Sequence, residues 1–335
     1  MPGRPRVFVT RRIPNAGLAP IQDACDVDLW PGDLPPPAAE LRHRVSESDG
    51  LVSLLTDRID ASLLDTAPHL RVISNFAVGY NNVDIAAATA RDIPVGNTPN
   101  VLTDATADMA LCLLISAARC LTEARDYALA GRWKTWEPMG HRGQDLFGKT
   151  LGVIGMGRIG YALARRCHRG WKMSVLYHDL DRRPNAERNL NARRVELDTL
   201  LVQADFISLH TDLNEHTHHL IGREQLARMK SSAVLVNTAR GPLVDQAALI
   251  EALTTHRIFA AGIDVTDPEP PAPDDPIFRI PNLIVAPHIA SATFGTRDAM
   301  ARICAANLLA GLRGERLPEC VNPEVYERPQ LSRPR

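Results

Sequence analysis

Short β-branched runs alternate along this chain with longer amphipathic or Ala/Leu-rich stretches. In the first hundred residues, Arg6–Thr10 (RVFVT), Gly50–Leu54 (GLVSL) and Arg71–Asn75 (RVISN) read as strands, with helices predicted at Ala38–Val45 and Ala61–Thr66. From Leu102 to about Ala130 the pattern is that of one long apolar helix. A long connection follows, GRWKTWEPMGHRGQDLFG (131–148), carrying Trp133 and Trp136. Connections of that length are usually functional or engaged with a partner. From Lys149 the rhythm becomes regular. Leu151–Ile154, Ser174–His178, Asp205–His210, Ala233–Thr238, Phe259–Val265 and Asn282–Ala286 read as strands, with a short one near Arg193–Val195, and helical stretches follow most of them. Near-continuous apolar strands alternating with helices predict an α/β fold with a parallel sheet covered on both faces. A final helix is expected over Ser291–Arg313, ended by Gly314.

Composition narrows the function without naming it. The 335 residues are 45% hydrophobic and 23% charged, a globular balance. Lys plus Arg is 38 against 39 for Asp plus Glu, giving a net charge of -1. No global basic field exists to bind nucleic acid, so function is expected in a local site. The six cysteines are scattered with no C-x-x-C pair, so neither a zinc site nor a disulfide framework is expected, and a reducing cytoplasm is the expected location. The N-terminal MPGRPRVFVT lacks the apolar core of a secretory signal, and none is expected. The most apolar stretch, Met109–Ala118, is far short of the ~20 residues that span a bilayer, so no membrane partner is expected.

The strongest local motif is VIGMGRIG (153–160), a G-x-G-x-x-G formed by Gly155, Gly157 and Gly160 directly after a strand and opening a helix. Gly155 allows the tight turn, Gly157 lets backbone approach a pyrophosphate, and Gly160 lets helix pack closely on strand. The helix N-terminus adds N–H groups and a favourable dipole. The next strand ends in VLYHD, placing Asp179 where a carboxylate accepts hydrogen bonds from an adenosine ribose. A carboxylate there favours NAD(H). Arg182 and Arg183 follow closely and offer charge for the extra phosphate of NADP(H), which stays possible.

Four successive later strands end in polar residues: His210 and Thr211; Thr238 and Arg240; Asp264; then His288 and Ser291. Such ends line the ligand crevice of a doubly wound sheet. Arg240 presents a planar fork suited to a carboxylate. His288 exchanges protons near neutral pH, and Glu269, on the proline-stiffened TDPEPPAPDDP loop, can hold a carboxylate against its imidazole. Arg, Glu and His beside a nicotinamide fit hydride transfer to a 2-keto acid. The cluster His216, His218 and His219 has metal-ligand character but no Cys or clear carboxylate partner at ligand spacing. It reads as a solvated helix start, and no metal is expected.

VIGMGRIG, VNTARGPLVD (236–245), GIDVTDPEP (262–270) and PHIAS (287–291), in that order, resemble the D-isomer-specific 2-hydroxyacid dehydrogenases. The resemblance extends through FAVGYNNVD (76–84) and NTPNVLTDATADMAL (97–111). GRWKTWEP (131–138), GQDLFGKTLG (143–152) and ANLLAGLRGE (306–315) look most like glyoxylate/hydroxypyruvate reductases. It implies a doubly wound Rossmann domain for the dinucleotide over 101–289, with a dimerisation helix and loop at 102–148. It also implies a smaller flavodoxin-like α/β substrate domain built from 1–100 and 290–335. Arg240 would bind substrate, His288 would be the acid/base and Glu269 its partner. The amides of Val78 and Gly79 would hold the substrate carboxylate, with Leu54 and Leu55 at the pocket edge. Trp136 would reach across a homodimer interface. Arg158, Ile159, Thr106, His210, Thr238, Ala239, Asp264, Ala290 and Ser291 would contact the cofactor.

The chain departs from the family at several points. Asp212 stands where many members have Pro, Ala290 where Gly is frequent, and Asp179 where NADPH-preferring glyoxylate reductases have a small residue. Phosphite dehydrogenases, which also resemble the chain, have Lys where Val78 stands. Formate dehydrogenases lack the acid that Glu269 supplies. Two readings stand beside the leading one: another D-2-hydroxyacid dehydrogenase, such as a D-3-phosphoglycerate or phosphite dehydrogenase, and a non-catalytic NAD-sensing module of the corepressor type.

Overall fold

The computed structural model describes residues 3–327, and the chain divides into two compact units. One runs to Leu102 and resumes at Thr293; the other is Thr103–Ala292.

The discontinuous unit is built on five parallel strands: β1 (Arg6–Val9), β2 (Asp26–Leu29), β3 (Gly50–Ser53), β4 (Val72–Asn75) and β5 (Val95–Gly96), in the order β2-β1-β3-β4-β5. That is the flavodoxin-like order. Side chains alternate across the sheet. Val7, Val9, Val52 and Val72 pack with Leu18 and Ile21 of the helix Asn15–Ala24 and with Ala301, Cys304 and Leu308 of the helix Phe294–Leu312. Phe8, Leu51, Ile73 and Val95 pack on the other face with Leu41, Val45, Leu63 and Ala88. The tail returns to the sheet edge: Val321 N donates to Val95 O, and buried Asn322 accepts from Val95 N and donates to Ile93 O. Strands β2 and β5 were not expected. β2 is a half-exposed edge with the sequence DVDL, and β5 is two residues long, so neither carries an apolar run.

The second unit has seven parallel strands: β6 (Thr150–Ile154), β7 (Ser174–His178), β8 (Arg193–Arg194), β9 (Phe206–Leu209), β10 (Val234–Asn237), β11 (Ala260–Ile263) and β12 (Leu283–Val285). Their order is β12-β11-β10-β9-β6-β7-β8. The order reverses between β6 and β9, which makes the carboxyl ends of these two strands the switch point where doubly wound sheets take ligands. Leu151, Val153, Tyr177, Phe206 and Val234 face the helices Thr103–Ala118 and Arg158–Trp171. Ile154, Leu176, Ile207, Leu235 and Ile263 face Leu197–Gln203, Arg223–Arg228 and Gln246–Thr254.

Two helices differ from expectation. The stretch 102–130 is broken into Thr103–Ala118 and Leu121–Leu129, bent by 62°. Cys120 takes the left-handed conformation (φ 52°), and the Ala118 carbonyl that would continue the helix accepts instead from Gln144 N at 2.8 Å. The last helix starts at Phe294 because the Thr293 hydroxyl caps it by accepting from Thr296 N, which leaves Ser291 in a turn. Among the described residues no single helix is long and apolar enough to cross a membrane.

A Cβ on Gly17 would stand 2.1 Å from the Ala301 carbonyl oxygen, so these two helices meet at backbone distance. Gly17→Ala should therefore force them apart and cost about 1–3 kcal/mol, read as a lowered midpoint in chemical denaturation. An unchanged midpoint would mean that this close packing contributes nothing to stability.

Candidate active site

The glycine turn after β6 has the geometry the motif requires. Gly155 sits at φ 90°, and a Cβ there would lie 2.7 Å from the His210 carbonyl, because the chain leaving β9 passes directly beside it. A Cβ on Gly160 would meet Gly155 O at 2.3 Å. A Cβ on Gly157, by contrast, would meet nothing within 4 Å. Open space at Gly157, in front of the first turn of the helix Arg158–Trp171, is the cradle a pyrophosphate needs.

Asp179 closes the next strand. Its carboxylate accepts from Met156 N (2.8 Å), Asp181 N (3.2 Å) and both Nε and Nη2 of Arg183 (3.1 and 3.0 Å). Burial pushes its pKa up, but Arg183 and the amides outweigh that and hold it below the usual carboxylate range. Arg182 pairs elsewhere, with Glu187 at 2.7 Å. The two arginines thus have different positions, and only Arg183 stands on Asp179.

Polar side chains at the later strand ends hold the turns they precede. Asn237, 1% exposed, accepts from Ala239 N and donates to Arg240 O. Asp264, also 1% exposed, accepts from Ile289 N at 2.8 Å and Ala290 N at 2.7 Å. Its pKa is raised by burial, against the pull of those two amides. His288 occupies the left-handed region (φ 54°), and its N–H donates to Asp264 O. His288 Nδ1 lies 2.5 Å from Glu269 Oε1. Arg240 is half-buried, donates to Ala239 O, and feels the charges of Glu269 and Asp212. Burial lowers its pKa, yet a guanidinium stays cationic. The structure thus puts Glu269, on the loop after β11, against His288, beyond β12, while Arg240 follows β10 and feels the Glu269 charge.

Of the other residues singled out, Thr106 is buried in the first turn of Thr103–Ala118, while Thr211 and Ser291 lie in half-buried turns. The Thr238 hydroxyl oxygen is buried without a partner among the described residues, and Ala290 is 7% exposed. His210 presents Nε2 to Ser208 Oγ at 2.8 Å, and burial depresses its pKa to about 4. The open cradle, the anionic ribose-side carboxylate and the orphaned Thr238 hydroxyl fit a dinucleotide. In the other unit, Leu54 and Leu55 follow β3, and Val78 and Gly79 follow β4. Among the described residues neither the Val78 nor the Gly79 N–H has an acceptor.

Sequence reasoning missed the residues that hold those turns. Asp57, 2% exposed, accepts from Leu54 N (2.7 Å) and from the Thr10 hydroxyl (2.5 Å), and burial raises its pKa against both. Asn82 donates to Leu54 O and Asp57 O, Asn75 to Gly79 O, and Asn97 to Val78 O. The available signal was amides and a carboxylate placed one to seven residues beyond apolar runs, in TDRID and GYNNVD. At His216, His218 and His219 the structure differs from expectation. No helix starts there, since the segment is a turn, and Asp267 comes to His218 and His219 from a distant loop.

Comparison with known proteins gives one consistent answer. Residues 111–290 match the family described as D-isomer specific 2-hydroxyacid dehydrogenase, NAD binding domain. A glyoxylate reductase of Korarchaeum cryptofilum is 50% identical over 325 residues, covering 97% of this chain and 98% of its own. A Thermus thermophilus crystal structure aligns with a TM-score of 0.89 at 46% identity, covering 94% of this chain and 99% of that one. The NADPH-dependent glyoxylate/hydroxypyruvate reductase of Sinorhizobium meliloti, solved with NADP and malonate, aligns at 0.84 with 30% identity, covering 98% of this chain and 100% of its own.

Two predictions follow from the turn geometry. Gly157→Ala should fold normally and bind dinucleotide at least tenfold more weakly, whereas Gly155→Ala should also lose thermal stability; titrated cofactor fluorescence and melting curves separate the two. His210, neutral in the fold, contributes stability above the unfolded value of ~6.5 that is lost as pH falls towards 4. His210→Asn should therefore flatten the acid loss between those values by up to about 3 kcal/mol in denaturant titrations. Parallel wild-type and variant curves would refute a buried neutral imidazole.

Proposed function

The chain belongs to the D-isomer-specific 2-hydroxyacid dehydrogenases, and on that premise we propose that it reduces small 2-keto acids, glyoxylate and hydroxypyruvate foremost, to D-2-hydroxy acids. The observation that carries this is the His288–Glu269 contact of 2.5 Å within the charge field of Arg240. The relative named glyoxylate reductase, 50% identical over nearly the full length, supports the choice of substrate.

A reduced nicotinamide dinucleotide held at the glycine turn would supply the hydride. Thr106, Gly155, Gly157, Arg158, Ile159, Gly160, Asp179, His210, Thr211, Thr238, Ala239, Asp264, Ala290 and Ser291 are the residues proposed to hold it. Arg240 binds the substrate carboxylate and polarises the carbonyl, the role its planar fork suits. His288 uses Nδ1 on Glu269, leaving Nε2 to give a proton to the carbonyl oxygen as it becomes an alkoxide. Glu269 fixes the orientation of the ring through that contact. Val78 and Gly79 present unpaired amides suited to a carboxylate, with Leu54 and Leu55 as apolar edges. Asp179 favours NAD(H) by repelling a 2′-phosphate, and Arg183, already on that carboxylate, moderates the preference. Leu121, Leu129, Trp133, Trp136 and Met139 are exposed apolar residues on the second half of the broken helix and the connection after it. They support a homodimer, with Trp136 entering the partner's site; a monomeric mass in solution would sink that part.

Steady-state kinetics test the reading. His288→Asn should cut kcat by on the order of 10²–10⁴ with NADH binding nearly unchanged, while Arg240→Ala should damage both KM and kcat. Reduction needs a proton from His288, and oxidation of the hydroxy acid needs the same ring to take one back. Glu269→Gln should lower kcat and leave some activity, since the amide can still hold the ring but carries no charge. Near-normal turnover in His288→Asn would assign the proton donor to another residue.

Cofactor choice is a separate measurement. Wild type should show the higher kcat/KM with NADH, and Asp179→Ser should swing the ratio towards NADPH by on the order of 10- to 100-fold, since a like-charge contact costs several kcal/mol. A wild-type preference for NADPH would make Arg182 and Arg183 the dominant charges.

A further inference from the structure

We propose that His218, His219 and Asp267 form a binding site for a zinc-class divalent transition-metal ion, which on binding ties the 214–220 turn to the loop carrying Glu269. Each of the three side chains offers a ligand atom, and these atoms lie within 4.8 Å of one another. The rings of His218 and His219 stack at 4.0 Å between centroids. Bonds of ~2.0–2.2 Å to a tetrahedral ion would need the ligand atoms about 3.5 Å apart, a closure within reach of side-chain rotation. Two imidazoles and one carboxylate suit Zn²⁺, Ni²⁺ or Cu²⁺ rather than Mg²⁺ or Ca²⁺, which take oxygen ligands. Three protein ligands leave a fourth position for water.

The backbone on both sides is fixed independently of any ion. His219 N donates to Pro242 O at 2.8 Å and Ile221 N to Leu243 O at 3.0 Å. Thr217 Oγ1 accepts from Asn214 N and donates to Asp212 O, which closes the turn. On the other side, Asp267 N donates to Gln246 Oε1 at 3.0 Å. The Thr266 carbonyl lies so close to Gly241 that a Cβ there would fall 1.8 Å away. Both arms therefore rest on the same Gly241–Leu243 segment, and the ligands approach across it. Asp267 is two residues before Glu269, so an ion held there restrains the loop from which Glu269 reaches His288. Nothing in this proposal depends on which 2-keto acid is reduced.

The full-length protein, freed of metal by chelator dialysis, should be titrated with Zn²⁺ against a chromogenic chelator. One equivalent should bind, and His218→Ala and Asp267→Asn should each weaken it at least tenfold while leaving NADH binding intact. Cys112→Ser, which removes the exposed thiol, should leave it unchanged. Bound Zn²⁺ should slow amide hydrogen exchange across 264–270 in wild type and not in His218→Ala. Failure of wild type to hold the ion, equal binding in both ligand variants, or loss of binding in Cys112→Ser would overturn the site. Binding without altered exchange in 264–270 would overturn the tether.

Discussion

The buried carboxylate of Asp264, bonded to the N–H groups of Ile289 and Ala290, is the interaction on which the reactive end of the Thr103–Ala292 unit depends. A parallel sheet ends in a row of turns whose backbone groups have lost their strand partners, and those turns must be satisfied where water is scarce. Asp264 does this for the turn after β12. It thereby holds His288 in a left-handed conformation that costs a non-glycine residue roughly 1–2 kcal/mol. Charge-assisted bonds to buried amides are strong enough to outweigh that cost. With the backbone fixed, the imidazole edge is aimed at Glu269. The same device recurs: Asn237 holds the Arg240 turn, and Asp57, Asn75, Asn82 and Asn97 hold the turns after β3 and β4.

This pattern separates two kinds of polar residue at the strand ends. Glu269 and His288 direct side-chain atoms to each other, whereas Asp264 and Asn237 direct their polar atoms to backbone. The Asp264 carboxylate is bonded to two amides of the turn that carries His288, so its geometry positions His288. Asp179 lies between the two kinds. Two of its bonds hold the glycine turn and its own turn, and Arg183 takes both oxygens from outside.

Much of this was legible in the sequence because it rests on period and on glycine. The buried strands β6, β7, β9 and β10 are apolar runs, and the glycine turn is a motif whose spacing is fixed by sterics, so both could be read directly. Arg240 and His288 stood out as strand-end polar groups and Glu269 as a carboxylate on a proline-stiffened loop, and the structure puts Glu269 against His288. The break at Cys120 was hidden, since Ala and Leu continue through it and its cause is a hydrogen bond from Gln144, far along the chain. Strand β2 was hidden by its acidic alternation at an edge. Asp267 was invisible as a neighbour of His218 because contact between distant loops leaves no local signature.

The discontinuity of the first unit bears on how the protein is made. Val7, Val52 and Val72 are buried against a helix that begins at Phe294, and β5 takes its last edge partner from Val321 and Asn322. A ribosome releases the N-terminal segment long before those partners exist, so until then the Asn15–Ala24 helix alone covers that face of its sheet. The continuous unit, by contrast, holds all seven of its strands within Thr103–Ala292 and completes its core first. Order of synthesis therefore lets the core of the Thr103–Ala292 unit be completed before that of the N-terminal sheet.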